Sequence, residues 1–550
     1  MSKQGRILIV EDREEWRRTL VEALQRAGFD AQAVESADKA RQLLGEELFH
    51  VLVLDIRLDE GDTSNTDGLK LLQELDQRSL TEAIQVIMLS SYGTKDQMRM
   101  AFRDYKVADF VFKQRLNGHA FLQDVQRVFT KNVCINLNMD LGWSQMSSSE
   151  LVVVNLKLNL SNDEGYTRVL PGTPLQKRVA AELDDLLRRL FYEAEDILVK
   201  PMSSGRSGAG VIGVRPFYAN RGGGSPVVVK FGSAHKILQE YNNYKEYVQP
   251  LVGGSRCTSI HGLRRTPLLG GIIYTFLGTS DQLEDFGTFY SRSDCSQITK
   301  ALDRLFRITC KDWYANASRL QLLDLTKDYQ RVLHFTPEKL EDAFNQLQII
   351  QPVAVADQEY LYFKALQQEQ PFKNPLRAIS GHSLAFPTYT SPTHGDFNQH
   401  NLLVDGDGYI WMIDFQGTGQ GHMLRDIAGL DSVVRYQLLT AKDATLQELL
   451  EMEQALCSIS YFSQVDQLSG KFQTSNPALA KAYAIAVYLR KLARDMVRQN
   501  HSDDFNEYYA ALLYNALNTM RFKTLEKEQR EHALLTASLL VDRLGLEGQS

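Results

Sequence analysis

A chain of 550 residues, 43% hydrophobic and 23% charged, exceeds what one core usually holds, and at about 150 residues per domain it divides into three or four compact units. Lys+Arg 61 against Asp+Glu 68 leaves a net charge of −7, which offers no bulk attraction to nucleic acid or an anionic membrane surface, and 36 Gly with 14 Pro exclude collagen-like and disordered classes. The cysteines Cys134, Cys257, Cys295, Cys310 and Cys457 show no CxxC spacing, against a disulfide framework or a zinc site, and no apolar run suits a signal peptide or membrane span, so a cytoplasmic location is expected.

In the first 130 residues, short apolar runs recur at Arg6 to Val10, Phe29 to Val34, His50 to Ile56, Ala83 to Leu89 and Asp109 to Phe112, separated by stretches with helical spacing. Runs apolar on both faces predict a doubly wound, five-stranded parallel sheet between helix layers, with its ligand crevice at the carboxyl ends of the strands. Those ends carry Glu11, Asp12, Asp55, Ser90 and Lys113. Three clustered carboxylates repel one another unless a divalent cation, most simply Mg²⁺, neutralises them. Asp55 beside such a metal can attack a phosphoryl group to form an aspartyl phosphate, whose oxygens Ser90 and Lys113 would contact.

Residues Gly5 to Thr130 resemble the receiver domain of two-component response regulators, which is flavodoxin-like. The resemblance implies that Glu11, Asp12 and Asp55 hold the metal, that Asp55 is the phosphoacceptor, and that Ser90, Phe110 and Lys113 are the switch hydroxyl, switch aromatic and invariant lysine. It also implies a histidine kinase or phosphotransfer protein upstream, and a homodimer through the receiver. Two departures stand out. Gln114 follows Lys113 where the family usually has Pro, and the segment Asp59 to Thr66 makes the loop before Asp67-Gly68 about five residues longer than usual.

Residues 131–150 lose this rhythm and read as a linker, followed by a strand-like Leu151 to Leu160 and a helix-like Leu175 to Ala194. Next comes strand, the loop with Gly205, Gly208 and Gly210, strand Val211 to Phe217, the turn Gly222 to Gly224, and strand Val227 to Phe231. Glycines there let backbone amides approach phosphate oxygens, although the same pattern describes hairpin turns. No Walker A lysine follows Gly210. Lys230 ends a run of valines and calls for an anionic partner, Glu240 on the next helix or else Glu246, unless it snorkels from an edge strand.

Further on, His394-Gly395-Asp396 precedes Asn401, and Ile413-Asp414-Phe415 follows a hairpin turning at Asp405 to Gly408, so Asp396, Asn401 and Asp414 fall at one end of a β ribbon. One aspartate can orient or deprotonate a hydroxyl, while an amide oxygen and a second carboxylate hold Mg²⁺ on a nucleoside triphosphate. Residues 151–550 thus resemble kinase-fold phosphotransferases of the aminoglycoside phosphotransferase and choline kinase type, and more closely the kinase-like domains of bacterial ternary conflict systems. That resemblance implies a two-lobed α+β fold, with an N-lobe at 151–280 and a helical C-lobe at 281–550. It implies Asp396 as catalytic base, Asn401 and Asp414 as metal ligands, and Lys230 with Glu240 as the phosphate-binding ion pair. ATP and Mg²⁺ would be the cofactors, Gly205, Gly208 and Gly210 the nucleotide loop, and Ile272 to Gly287 the adenine hinge. A histidine common two residues after the catalytic aspartate is here Asn398, with His400 beyond it.

Amphipathic stretches at Gln297 to Thr309, Pro337 to Gln348, Thr445 to Ser458, Leu479 to Gln499, Phe505 to Phe522 and Lys527 to Leu544 predict the helical lobe, with its tyrosines more in the core than in a cleft. The expectation is a receiver regulating a fused ATP-dependent phosphotransferase with a protein or small-molecule acceptor. A phosphorylation-gated adaptor that binds ATP without transfer is the alternative. A DNA-binding regulator fits least, because the chain is acidic on balance and offers no basic recognition helix.

Overall fold

The structure, a computed structural model, describes residues 5–547 except 60, 63, 92–93, 116–117, 145–146, 163–164, 203–207, 220–221, 253–257, 276–282, 319, 348–357, 367–369, 441 and 498–500. The chain forms two units, residues 1–241 with 259–275 and residues 242–258 with 276–550.

The first unit begins with parallel strands β1 (Arg6–Val10), β2 (Asp30–Val34), β3 (Val51–Asp55), β4 (Gln85–Ser90) and β5 (Asp109–Phe112), in the order β2-β1-β3-β4-β5. Helices α1 (Glu14–Arg26), α2 (Ala37–Glu46), α3 (Asp67–Gln77), α4 (Lys95–Arg103) and α5 (Gly118–Val128) cover it. Because successive strand residues face opposite ways, Leu8, Leu52, Leu54 and Met88 bury against α2 and α3, while Ile9, Val53, Ile87 and Leu89 bury against α1 and α5. The parallel sheet expected from the sequence is thus present, in the strand order of the flavodoxin-like fold that the receiver resemblance implied.

The continuation differs from expectation at two places. Within the supposed linker 131–150, strand β6 (Asp140–Trp143) joins the next sheet, pairing in parallel with β9 (Asp196–Pro201). Four residues are too few to show a period, and it is the ladder with β9 together with packing of Leu141 and Trp143 on the sheet core that fixes them. The supposed strand Leu151 to Leu160 is α6 (Ser149–Asn155) followed by β7 (Asn159–Asn162). Its β-branched valines favour a strand, but the Ser148 side chain caps the Leu151 N–H and Val152 and Val153 bury on the core, so tertiary context wins.

β7 pairs antiparallel with β8 (Gly165–Arg168) in a ribbon of its own, and the chain continues through α7 (Pro174–Leu190), α8 (Ala234–Asn243) and the remaining strands of the sheet that holds β6 and β9, namely β10 (Gly210–Tyr218), β11 (Gly222–Gly223), β12 (Val227–Ser233), β13 (Ser259–Arg265) and β14 (Leu269–Thr275). The order of this sheet is β13-β14-β12-β10-β9-β6, with β11 paired to β10. Thr173 caps α7 ahead of Pro174, and the apolar stripe Val179, Leu183, Leu186, Leu187 and Leu190 packs into the sheet core.

The second unit is mixed, with short ribbons and many helices, among them Cys295–Asp303, Pro337–Asn345, Leu446–Leu456, Pro477–Met496, Asn506–Met520 and Lys527–Arg543, each within an expected amphipathic segment or one or two residues beyond it. Tyr483, Tyr508, Tyr509 and Tyr514 are buried in its core. Among the described residues, no helix is long and apolar enough to cross a membrane.

Candidate functional site

At the carboxyl end of the parallel sheet, β1 runs directly into Glu11 and Asp12, and β3 ends in Asp55. Their carboxylates offer oxygens all within 4.8 Å of one another. Lys113, opening the turn after β5, sets its Nζ 2.5 Å from Glu11 Oε2 and 2.7 Å from Asp55 Oδ2. Burial, reinforced by the Asp55 charge, pushes the Glu11 carboxyl up to about 7, and burial also raises Asp55. Closely set, hard oxygen donors suit Mg²⁺, which would share with Lys113 the neutralisation of this acidic cluster.

The two residues expected to act as a switch, Ser90 and Phe110, lie on the adjacent strands β4 and β5. Asp55 pairs with Leu89 across the sheet, which brings the buried Ser90 one residue further along the neighbouring strand. Phe110 is buried on β5, its ring 5.3 Å from that of Phe112. Gln114, in place of the usual proline, donates from Nε2 to Ser91 O at 3.1 Å and so ties the β5 loop to the β4 loop.

The long loop after Asp55 closes on itself. Asn65 Oδ1 accepts from Leu58 N at 3.0 Å and Asp67 N at 3.1 Å, and its amide donates to Asp67 Oδ2 at 2.8 Å. The chain thereby returns to Gly68, where an added Cβ would lie 1.8 Å from Asp55 O. Glycine is required there by close approach of two backbones.

In the second part of the first unit, Lys230 Nζ lies 2.8 Å from Glu240 Oε2, with side-chain exposures of only 7% and 1%. Tyr274 OH donates to the other Glu240 oxygen. The fallback partner Glu246 is exposed. Of the glycine loop, Gly208 takes a left-handed φ of +75°, and Gly210 is held where a Cβ would meet the Phe231 ring at 2.3 Å. Gly205 and residues 276–282 of the expected hinge lie outside the described residues.

In the second unit the strands Leu402–Val404 and Ile410–Met412 form the expected hairpin. Asp405 makes its turn, accepting at Oδ1 from Asp407 N (3.0 Å) and Tyr409 N (2.9 Å). At the opposite end Ile413 N donates to Asn401 O at 3.0 Å, so Asn401 and Asp414 leave the hairpin together. Asn401 Nδ2 donates to Asp396 Oδ2 at 2.9 Å and Asp396 O at 3.0 Å. Asn398 Oδ1 caps the turn between them by accepting from His400 N (2.9 Å) and Asn401 N (3.2 Å), while His400 itself is exposed. Asp396 is exposed and Asp414 half-buried, with Asp414 in a left-handed conformation at φ +68°. With Nδ2 committed to Asp396, the Asn401 amide oxygen and the Asp414 carboxylate are a hard donor set that fits Mg²⁺.

One residue of this site escapes sequence reasoning. Asp426, wholly buried near the start of the helix Arg425–Ser432, accepts at Oδ2 from His394 N (2.8 Å) and at Oδ1 from Gly395 N (3.0 Å). Its carboxylate thereby fixes the two backbone amides that precede Asp396. The sole signal in the sequence is a pair of charged residues, Arg425 and Asp426, inside the otherwise apolar stretch Met423 to Leu430.

A model of the ternary complex associated domain 9 family matches residues 195–338 and 343–521, more than half of the chain. The chain belongs to the ternary complex associated domain 9 family. Ahead of that region, a model of the response regulator receiver domain matches residues 7–123, so this family member carries a receiver domain of two-component signalling ahead of the family region. The response regulator protein PilR of Pseudomonas aeruginosa is 33% identical over 103 residues, 19% of this chain and 21% of PilR, so the chain spans about a fifth of that relative's length. Among solved structures, a CheY-like receiver domain protein from Methanospirillum hungatei JF-1 is 18% identical, covering 24% of this chain and 97% of that one with a TM-score of 0.21. A sensor protein from Polaromonas sp. JS666 is 22% identical over 23% of this chain and 98% of its own, again with a TM-score of 0.21.

Proposed function

We propose that phosphorylation of Asp55 by a histidine kinase or phosphotransfer protein regulates an ATP- and Mg²⁺-dependent phosphotransferase carried by the family domain. In the receiver, an Asp55 oxygen forms a bond to phosphorus as the phosphoryl group leaves the donor's imidazole nitrogen, which keeps the electron pair. Glu11 and Asp12 would complete with Asp55 the oxygen set for Mg²⁺, which would supply screening of the phosphoryl charge. Lys113 would then balance charge on the new acyl phosphate, and the Ser90 hydroxyl would donate to one of its oxygens.

The observation that supports the enzymatic reading most is the hydrogen bond from Asn401 Nδ2 to Asp396 Oδ2. It holds one oxygen of an exposed carboxylate with the amide nitrogen of Asn401 and leaves the Asn401 amide oxygen out of that bond. Asp396 would take the acceptor's proton, Lys230 steadied by Glu240 would bind phosphate oxygens, and Asn401 with Asp414 would hold Mg²⁺, which supplies charge neutralisation on the phosphates. A protein or a small molecule could supply the hydroxyl, because acceptor choice lies in cleft residues and not in these groups.

The test is Mg²⁺-dependent transfer from γ-labelled ATP by the full chain beside Asp396→Ala, with protein and small-molecule acceptors. Loss of about a hundredfold or more is expected for removal of a general base. Equal, negligible turnover by both proteins with ATP still bound would overturn the enzymatic reading in favour of the ATP-binding adaptor.

A further inference from the structure

Two sets of contacts within the first unit run in series. The first joins the receiver to α7 at the amino ends of its strands, the end away from Asp55. His50, just before β3, accepts from Arg6 N at Nδ1 (2.8 Å), so its proton sits on Nε2, which donates to Asp185 Oδ1 at 2.8 Å. The other Asp185 oxygen accepts from Arg189 Nε at 2.7 Å, and Arg189 Nη1 reaches back to Ala83 O, just ahead of β4, at 3.0 Å. His50, Asp185 and Arg189 are all buried. Arg178 Nη2 donates to Leu44 O on α2 at 3.2 Å, and Arg265 Nη1 lies 2.8 Å from Glu82 Oε2.

The second set joins α7 to the Lys230–Glu240 pair. An added Cβ at Gly271 of β14 would lie 2.9 Å from Leu186 of α7, and one at Gly270 would lie 2.9 Å from Ile237 of α8. Adjacent glycines thus let α7 close onto one face of β14 and α8 onto the other, with no soft layer between. Glu240 follows Ile237 by about one helical turn, and its two oxygens meet Lys230 Nζ and Tyr274 OH. Glu182 of α7 also accepts from Thr266 Oγ1 and Leu268 N, both at 2.7 Å, and so holds the turn that leads into β14.

We propose that the receiver is read through this seam: occupation of Asp55 shifts the amino ends of β3 and β4 on α7, and α7 passes the shift through Gly271 and Gly270 to the helix that carries Glu240. The receiver is then docked through α7 onto the sheet that follows it, and its signal leaves by the end opposite the phosphoacceptor. The inference rests on the reading of Asp55 as phosphoacceptor, and its consequence at Lys230 rests on the kinase-like reading.

The test is hydrogen exchange of the full chain in Mg²⁺ with and without beryllium fluoride, a mimic of the acyl phosphate, which needs no phosphotransfer activity. Exchange near Asp55 should slow, and exchange in α7, β14 and α8 should change by about fivefold or more, the low end of usual coupling factors. Both effects should vanish in Asp55→Asn. In Asp185→Asn the single amide oxygen cannot serve both the His50 and Arg189 donors, so the response near Asp55 should persist while that in β14 and α8 is lost. Arg178→Ala, which leaves the buried pair intact and should weaken the distal response, stands in if the first variant fails to fold. A response confined to the neighbourhood of Asp55 in the wild-type chain overturns the seam and leaves the receiver reading standing. No response near Asp55 overturns the receiver reading and the seam with it.

Discussion

Gly68 shows how a single position without a side chain can set the geometry of a charged site. Its role is not conformational freedom: an added Cβ would fall 1.8 Å from Asp55 O, a distance no repacking of a side chain can relieve because the obstacle is backbone. Gly68→Ala should therefore displace the strand end that carries Asp55 and destabilise the receiver by about 1–3 kcal/mol, the usual cost of overpacking. Urea unfolding of the full chain, followed by exchange in β3, checks this, and a variant as stable as the parent would refute the steric account. The same logic holds at Gly395, where φ is +82° and a Cβ would meet Gly417 O at 2.3 Å, immediately before Asp396. Both glycines were readable as members of motifs. What makes them necessary was not, since the atoms they avoid are thirteen and twenty-two residues away in the chain.

At the scale of elements, groups that sit where a strand ends were legible, because strand period and polar ending are local properties. Glu11, Asp55, Ser90 and Lys113 are of this kind, and so are Asn401 and Asp414 on either side of one hairpin. Asp426 was not legible, because it acts across 31 and 32 residues on backbone amides that bear no sequence signal. Asp426→Asn keeps its shape but leaves one of those amides facing an NH₂ group. The expected cost is about 1–3 kcal/mol for the unsatisfied buried donor, with a fall in any Asp396-dependent transfer, measured by thermal unfolding beside the labelled-ATP assay. The helices of the second unit are joined by a comparable polar link. Glu453 accepts from Arg435 Nη1 at 2.6 Å and His532 Nε2 at 3.0 Å. Burial alone would raise its carboxyl, but the Arg435 charge and the His532 bond outweigh that and hold it at about 2. A folded-state value below the unfolded one stabilises the unit above about pH 4.5, and the contribution is lost as pH falls toward 2. The loss should amount to about 3 kcal/mol, and Glu453→Gln should flatten this part of the pH dependence in denaturant titrations between pH 5 and 2.

For the molecule as a whole, composition and period separated the receiver from the region behind it, yet they suggested a linker where the structure has continuity. Strand β6 and helix α6 lie in or beside that stretch, and α7 presents Asp185 and Arg189 to His50 and Ala83 O of the receiver. Buried charges on a helix that otherwise reads as amphipathic were the one warning, and their partners more than a hundred residues earlier could not be inferred from spacing. A receiver tethered by a linker would unfold independently of the following sheet. A receiver sharing a buried ionic junction with it should not, because separating the two strips hydrogen bonds from Asp185 and Arg189 together with the apolar surface around them. Removal of residues 1–130 should therefore loosen α7 and speed proteolysis within residues 174–190 by about tenfold or more, the effect of about 1.4 kcal/mol in a local opening equilibrium. In the full chain, exchange under increasing urea should report β3, β4 and α7 opening together. A shortened chain whose α7 resists protease as well as the parent's would mean that the receiver adds nothing to the stability of this helix, and that the two parts are joined only in sequence.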